Sequence, residues 1–332
     1  MDNAAVERIY LPAALRAAAE FPVRVDRLCL VHMAENVTFR AFDTQSGTSY
    51  VLRLHRPGYH DVAELGSEHT WLRALADAGI SVPTPIQACD GREHVPVRIP
   101  QTGETRYAGL AYWVEGDIAA EVLTDGPGLK RYGAELGSLM ASMHNQASNW
   151  SPPACFRRQW LDADGLVGPD PFWGRFWEHE SLSPGERRLL IATRDVIHAA
   201  LRRYGRDPQT FSMIHADQHQ DNLLVHGEDL TLIDFDDAGF GWHQYDIAVA
   251  LFHAEMSWTD RADFEAAFLS SYQATRAIAD EDLALVPMFR LVRCMALIGW
   301  KAERPEVEWL AGRFDRLKAG VLAACDGFET PC

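Results

Sequence analysis

Three polar residues between positions 213 and 236, Asp217, Asn222 and Asp234, are of the types that phosphate chemistry requires. In the segment 213–225, Asp217 stands two residues after His215 and five residues before Asn222, and apolar residues flank both sides. After a turn, a second apolar run ends at Asp234. Asn222 opens one predicted strand and Asp234 closes the next, so an amide oxygen and a carboxylate could converge on Mg²⁺, which prefers hard oxygen ligands. Asp217 would then orient a substrate hydroxyl and accept its proton, as phosphoryl transfer requires.

Two other interpretations of this stretch stay open. The acids could be solvated turn residues, as Asp in loops often is. That interpretation must explain why an Asp, an Asn and an Asp-Phe-Asp-Asp cluster all adjoin apolar strands. Alternatively, His215, Asp217 and His219 alternate along the chain and could bind zinc or iron in a metal-dependent hydrolase, because imidazole favours such metals. The sequence shows no further histidine-rich cluster to complete that ligand shell.

Both segments resemble the catalytic and metal loops of the aminoglycoside phosphotransferase and choline kinase family. The resemblance runs through His215-x-Asp217-x-x-x-x-Asn222 and through Ile233-Asp234-Phe235-Asp236-Asp237. Within it, Asp217 looks like the catalytic base, Asn222 and Asp234 look like the Mg²⁺ ligands, and His215 supports the loop. The family usually has Gly where this chain has Ala216.

The resemblance implies an α+β, protein-kinase-like fold of two lobes and a kinase that uses ATP and Mg²⁺. It places a small β-rich, nucleotide-binding lobe at 1–114, a hinge near 110–116, and a larger, mainly helical lobe at 117–332. Short strings in the chain look closer to the homoserine-kinase-like and stress-kinase-like bacterial members than to dedicated choline kinases.

The first lobe carries the expected nucleotide contacts. A hairpin spanning 33–42 has Asn36 and Thr38 at its predicted tip, where both could donate hydrogen bonds to phosphate. The predicted strand 50–54 carries Arg53 where the family has a phosphate-pairing Lys, and Arg is a permanent cation with forked geometry. Glu68, on the following helix, matches the acidic partner of that cation. No GxxxxGK[ST] motif occurs in the chain, which excludes a P-loop nucleotide site on its usual signature.

Hydrophobic periodicity predicts the elements that must position these residues. Strands are expected at 27–32, 38–43, 49–54, 95–100 and 106–114, with one strand-like island at 213–236, and helices at 3–20, 63–78, 128–146, 184–204, 258–277, 283–301 and 307–325.

The composition narrows the classes of partner. The chain has 332 residues, with 47 Asp and Glu against 31 Lys and Arg, for a formal net charge of −16. Such a surface has no basic stripe for nucleic acid. There is no signal-peptide pattern, no uninterrupted apolar run near the roughly 20 residues of a membrane span, and no CxxC pair among six cysteines. We therefore expect a cytoplasmic protein that binds neither nucleic acid nor membrane.

The phosphate acceptor is the least determined feature. The family acts on small-molecule hydroxyls of amino alcohols, homoserine, aminoglycosides or sugars, and some members phosphorylate protein Ser or Thr. Its acceptor site lies beyond the catalytic loop, beside C-terminal helices. Aromatic and acidic residues there could bind a cationic substrate or simply form the helical core: Trp242, His243, Tyr245, Asp246, Glu255, Trp258, Trp300, Glu303 and Trp309. Asp246 is expected to anchor the catalytic loop.

Overall fold

The computed structural model describes residues 2–123, 126–304 and 313–329, and the elements that follow lie within these ranges. The helices are α1 Asn3–Ala18, α2 Val62–Asp77, α3 Ala119–Val122, α4 Gly126–Asn149, α5 Ala163–Val167, α6 Pro184–Tyr204, α7 His243–Ser257, α8 Ala262–Thr275, α9 Asp280–Leu283, α10 Val286–Glu303 and α11 Phe314–Cys325. The strands are β1 Arg27–Met33, β2 Val37–Asp43, β3 Thr48–His55, β4 Pro85–Ile86, β5 Val95–Arg98, β6 Thr105–Tyr112, β7 Asp117–Ile118, β8 Trp160–Leu161, β9 Phe211–Ile214, β10 Leu223–His226, β11 Asp229–Leu232 and β12 Gly239–Trp242.

The chain forms two compact units, each discontinuous in sequence. The first contains Met1–Ala119, Ser151–Arg158 and Leu223–Asp234, and the second contains Ala120–Trp150, Gln159–Asn222 and Phe235–Cys332. The lobe boundaries drawn from the sequence remain a prediction.

An antiparallel sheet dominates the first unit, in the order β1-β2-β3-β6-β4, with β5 also paired to β6. Alternate residues of β2 and β3 are buried, including Val37, Phe39, Leu52 and Leu54, and α1 contacts this sheet. The predicted turn between β2 and β3 is confirmed: Gly47 has φ +76°, a left-handed conformation that glycine adopts without steric cost.

Helix α2 begins and ends where its residues predict. The Asp61 side chain accepts from the backbone N–H groups of Ala63 and Glu64, and the Glu64 side chain accepts from the N–H of Asp61, which is a capping box. The predicted apolar face is buried, with Trp71 fully enclosed, and Gly79 follows the helix at φ +79°. This helix carries Glu68 into the interior of the first unit.

A second small sheet of the first unit, in the order β11-β10-β7, holds the segment that leads to Asp234. The turn joining β10 to β11 includes Gly227 at φ +63°. Residue 116 must be glycine here, because a Cβ atom would lie 2.9 Å from the carbonyl oxygen of Val225.

In the second unit, α4 packs against α8 and α10 packs against α7. A three-stranded sheet in the order β8-β12-β9 ends at the predicted catalytic loop. Here the sequence interpretation was incomplete, because it expected a single strand-like island and no helix at α7. Nearly all of α7 is buried, so its sequence lacks the polar face from which a helix is recognised.

Most other predicted helices are confirmed within a few residues. The last predicted helix is described only from Phe314 onward, and its first part, including Trp309, lies outside the described residues.

One stretch of the described chain, Asp280–Glu303, is long and apolar enough by length and composition to cross a membrane. The search for uninterrupted apolar runs in the sequence did not find this stretch, because charged residues such as Arg293 interrupt it. About 61% of the relevant window is buried within the protein, as in the core helices of globular domains.

Candidate active site

The Asp217 carboxylate is held on both oxygens by groups of the second unit. Its Oδ1 contacts the guanidinium of Arg293 in a tight ion pair. Its Oδ2 accepts a 2.9 Å hydrogen bond from Asn222 Nδ2 and lies 3.3 Å from His219 Nε2. Burial alone would raise the pKa of Asp217, but His219 and Arg293 together hold that pKa well below its usual value. The side chain is therefore an anion of fixed orientation.

The side chain of Asp246, on α7, holds the backbone of this loop. Its two carboxylate oxygens accept hydrogen bonds from the backbone N–H groups of His215 (3.0 Å) and Ala216 (2.6 Å). His144 Nε2 lies 3.1 Å from the same carboxylate, and its Nδ1 lies 2.8 Å from the Tyr272 hydroxyl. Burial raises the pKa of Asp246 to about 6. The prediction that Asp246 anchors the catalytic loop is confirmed.

His215 also supports the loop. Its ring is fully buried, Nδ1 accepts a 3.3 Å hydrogen bond from the backbone N–H of Asp217, and the ring meets Phe235 edge-on at 4.6 Å. Its ring is therefore engaged in holding backbone.

Two residues other than glycine have positive φ among the described residues, and both lie in the predicted loops. They are Ala216 at φ 67° and Asp234 at φ 62°. Such a backbone conformation is unfavourable for residues with a Cβ, and it persists where surrounding contacts impose it. The family's usual Gly at position 216 is thereby explained, because glycine adopts this conformation without strain.

Asn222 belongs to the second unit and Asp234 to the first. In the second unit, Asn222 Nδ2 donates to the backbone oxygen and the Oδ2 of Asp217, both at 2.9 Å. Because the amide nitrogen is used in this way, the amide oxygen faces away from Asp217. An amide oxygen and a carboxylate are the hard donors that Mg²⁺ binds, so the chemistry of this pair fits the predicted metal.

In the first unit, β3 places Arg53 beside Asp234. The two side chains form an ion pair at 2.8 Å and are 22% and 36% exposed. Glu68 of α2 lies 3.5 Å from Arg158, and both side chains are almost completely buried. A pairing of Glu68 with Arg53 remains a prediction.

The hairpin between β1 and β2 is also tied down within the first unit. The Asn36 Oδ1 atom accepts a 2.9 Å hydrogen bond from the backbone N–H of Arg56, whose guanidinium pairs with Glu35. Thr38 lies within β2, opposite Arg53 in β3, and not at the hairpin tip as predicted, because the connection is shorter than expected. Contact of Asn36 or Thr38 with phosphate remains a prediction.

Three side chains of metal-ligating type cluster beside the loop among the described residues. They are Asp217, His219 and His253, with ligand atoms within 4.8 Å of one another. The hydrolase interpretation had named His215 in place of His253. Arg293 contacts both Asp217 and His253, so a cation of the protein itself already lies within this cluster.

No sequence motif pointed to Arg293, and His219 was considered only as a metal ligand in the hydrolase interpretation. Arg293 is separated from Asp217 by 76 residues, and no local spacing connects them. The available signal was an arginine in the middle of an apolar helical run, since a charged residue on a buried face requires a partner. Burial alone would lower the pKa of His219, but the neighbouring Asp217 raises it to about 9.

A cavity of about 180 Å³ adjoins the catalytic loop within the second unit. Gln220 and Asp221 of the loop form one wall, and apolar side chains such as Met256 and Leu297 form another. Arg313 also lines it. The aromatic and polar residues 242–246, considered above as substrate contacts or core, are buried and belong to the core.

A family profile and several known proteins are similar to this chain. The profile of a family described as the phosphotransferase enzyme family matches residues 30–282, more than half of the chain. An amicoumacin kinase of Bacillus subtilis (strain 168) is 24% identical over 301 residues, which cover 85% of this chain and 82% of that protein.

Solved structures match over nearly the whole chain. A microcompartment-associated aminopropanol kinase is 31% identical, with a TM-score of 0.80 over 95% of this chain and 96% of that one. An amicoumacin kinase in complex with AMP-PNP and Ca²⁺ is 19% identical, with a TM-score of 0.78 over 98% and 96% of the two chains. The predicted α+β, protein-kinase-like fold is confirmed.

Proposed function

The chain belongs to the phosphotransferase enzyme family and is a small-molecule kinase, as its sequence motifs predicted, and we propose that it transfers the γ-phosphoryl group of ATP to the hydroxyl of a small amino alcohol. The observation that carries the proposal is the Asp217 carboxylate, fixed on both oxygens in a loop that Asp246 fastens. A carboxylate held in this way can align an acceptor hydroxyl for in-line attack, and positioning supplies much of the catalysis of phosphoryl transfer.

Asp217 acts first by orientation and only later as a base. Its lowered pKa makes it a weak proton acceptor toward an unreacted alcohol. In a loose transition state the hydroxyl becomes acidic as its bond to phosphorus forms. Asp217 therefore accepts a hydrogen bond from the hydroxyl in the ground state and takes the proton late.

On the nucleotide side, Arg53 binds the phosphates, with Asn36 and Thr38 as the further phosphate contacts and Glu68 as the acidic partner of Arg53 predicted from the sequence. Asn222 and Asp234 remain the predicted metal ligands. A bound Mg²⁺ would neutralise phosphate charge, and the related fold solved with AMP-PNP and Ca²⁺ supports ATP and a divalent cation as cofactors. Arg53 can then exchange its ion pair with Asp234 for one with phosphate.

The cavity supports a small acceptor. An engineered protein cavity of about 150 Å³ holds benzene, whereas sites for drug-sized ligands occupy about 300–1,000 Å³. The 180 Å³ found here suits a molecule slightly larger than benzene, which favours a small acceptor over a whole aminoglycoside. Asp221 on the cavity wall, whose Oδ2 lies 3.1 Å from His219 Nδ1, has a carboxylate that an ammonium group can share, and the relative solved as an aminopropanol kinase supports the same class.

The test is an ATP-consumption assay over a panel of acceptors, with and without Mg²⁺. The panel contains 1-amino-2-propanol, ethanolamine, homoserine, a sugar, an aminoglycoside and a dephosphorylated protein. We expect Mg²⁺-dependent turnover with the amino alcohols and none in the Asp217→Asn variant. Preferred turnover of the aminoglycoside or the protein would overturn the proposed acceptor, and preference for homoserine would indicate that Arg313 binds a carboxylate.

A second experiment addresses the ammonium group alone. The Asp221→Asn variant should raise KM about 10-fold for 1-amino-2-propanol, which corresponds to about 1.4 kcal/mol, and leave KM for neutral propane-1,2-diol unchanged. The matched control is Asp263→Asn, an exposed acid on α8. Equal effects on both acceptors would show that Asp221 does not bind the ammonium group.

A further inference from the structure

Arg293 is a buried arginine on α10 that no catalytic motif includes. Only 4% of its surface is exposed. The Nη2 atom of its guanidinium contacts Asp217 Oδ1 and lies 3.1 Å from His253 Nε2. A charge buried to this extent is costly unless it is paired. Here the pairing joins a C-terminal helix to the residue that orients the acceptor.

The same guanidinium is electrostatically linked to the loop that follows Asp234. Burial alone would lower the pKa of Arg293, but Asp217, Tyr245 and Asp237 raise it. Asp237 is itself held by the indole N–H of Trp173, 3.3 Å from Asp237 Oδ2. The ring of Trp173 stacks on that of Tyr245 at 5.8 Å. Arg293 thus lies between two acids, each supported by other buried side chains.

Asp217 has two oxygens with different anchors. Oδ2 is bonded by Asn222, a predicted metal ligand, and by His219, whereas Oδ1 is bonded by Arg293. The terminal torsion of an aspartate is broad, so a carboxylate held by one oxygen alone samples a range of orientations. The contact with Arg293 removes that freedom.

We propose that Arg293 is a positioning residue, which holds Asp217 Oδ1 so that the carboxylate presents one orientation to the acceptor hydroxyl. This inference rests on the proposed function, in which Asp217 orients the acceptor. Arg293 does not touch the substrate, and it acts only through Asp217. It also ties the middle of α10 to the loop, so the catalytic loop is held by α7 through its backbone and by α10 through the Asp217 side chain.

The test compares Arg293→Ala with Arg290→Ala, which removes an equivalent group from the same helix, where Arg290 pairs with Glu255 near the surface. Misplacement of a reacting group by about 1 Å costs about 10²-fold in rate. We expect kcat of Arg293→Ala to fall by about that factor while KM for ATP changes less than about 2-fold. Guanidinium ion at non-denaturing concentration should restore part of kcat in Arg293→Ala and none in Asp217→Asn.

A kcat of Arg293→Ala close to that of wild type would overturn the inference. A folded variant with low kcat that guanidinium does not restore would overturn it too, because the lost support would then be that of the helix and not of the carboxylate. If Arg293→Ala does not fold, Arg293→Lys retains the charge without the fork and should show the same split between kcat and KM.

Crystal structures separate this inference from the proposed function. If wild-type protein phosphorylates no member of the acceptor panel, the proposed function fails, but the orientation of Asp217 can still be observed. The carboxylate should take a second orientation in Arg293→Met and a single one in wild type. An unchanged Asp217 in Arg293→Met would show that Arg293 does not position it.

Discussion

Asp217 and Asp234, the two aspartates that the sequence singled out first, are held in opposite ways. Asp217, in the second unit, is bonded on both oxygens by Arg293, Asn222 and His219, and its loop is bonded by a buried carboxylate. Asp234, in the first unit, is 36% exposed and pairs with Arg53, which is 22% exposed. Asp217, which we propose orients the acceptor, is fixed in advance, whereas Asp234, the predicted metal ligand, is partly exposed and held by one ion pair.

The difference has a physical reason. A group that orients a nucleophile contributes most when its position is fixed before the substrate binds. A metal ligand must exchange its protein partner for the ion, and an ion pair near the surface is weak enough to be exchanged, at about 0–1 kcal/mol. A buried pair such as Arg293 with Asp217 would be much harder to open.

The largest effect on activity should come from substitution of Asp217, the aspartate that is held on both oxygens. Asp217→Asn keeps the shape of the side chain but removes the acceptor for the hydroxyl proton, so kcat should fall by about 10³-fold or more. Stabilisation of the protein by ATP and Mg²⁺, measured as a shift in Tm, should remain. Loss of that Tm shift together with kcat would show that Asp217 is part of the nucleotide site and would remove the contrast.

Substitution of Arg53, the partner of Asp234, should weaken the binding of ATP. Arg53→Met removes a charge-assisted contact with phosphate, which is worth about 1.5–3 kcal/mol, so KM for ATP should rise about 10-fold to 100-fold. KM for the acceptor should change little, and Arg53→Lys should recover part of the loss. Steady-state kinetics at varied ATP measures both, and an unaltered KM for ATP would contradict the role given to Arg53.

A smaller effect is expected on stability at acidic pH, which tests the core of the first unit. His94 is almost fully buried in the first unit, and among the described residues its ring nitrogens have no hydrogen-bond partner. Burial lowers the pKa of His94 well below 6.5, and neighbouring His69 lowers it further. Because the folded pKa is the lower one, the unfolded state binds the proton first, and stability falls as pH drops below about 6.5.

The expected slope from His94 is at most about 1.4 kcal/mol per pH unit. Urea unfolding between pH 7 and pH 5 should show this slope reduced in His94→Leu relative to wild type. His226→Gln, at an exposed position of the same unit, is the control and should retain the full slope. Parallel curves for wild type and His94→Leu would mean that His94 is not buried in its neutral form.

The smallest effect concerns the backbone of the catalytic loop. Ala216→Gly should change the free energy of unfolding by less than about 1 kcal/mol, because relief of the positive φ offsets the entropy gained by the unfolded chain and the lost burial of the methyl group. Ala248→Gly in α7 also removes a fully buried methyl group, but from a helical backbone, and should destabilise by about 1 kcal/mol or more. Urea denaturation measures both, and equal destabilisation by the two changes would show that the left-handed conformation at residue 216 is not present.

Much of this arrangement could be predicted from local sequence. The spacing of Asp217 and Asn222 placed both in one loop, and the alternation around Arg53 placed it on a strand, because short-range geometry determines such positions. Helix α2 was predicted within one residue at each end from its apolar spacing and from Gly79 at its C-terminus.

What could not be predicted depends on contacts far apart in the chain or on complete burial. Arg293 meets Asp217 across 76 residues, and Glu68 meets Arg158 across 90. Neither pair leaves a periodic signature. Helix α7 lacks a polar face because almost every residue is enclosed, and the strands β8 and β12 are too short for alternation to be recognised.

The burial of α7 has a consequence for redesign of the enzyme. Its first turn carries Asp246, which supports the catalytic loop, while its last turn contributes Met256 and Ser257 to the cavity. Selection for new acceptors can therefore vary the end of one helix and leave its beginning untouched. A library confined to Met256 and Leu297 would explore substrate preference at small risk to the machinery of phosphate transfer, whereas Ser257 accepts a 2.6 Å hydrogen bond from Gln220 of the catalytic loop and is best retained.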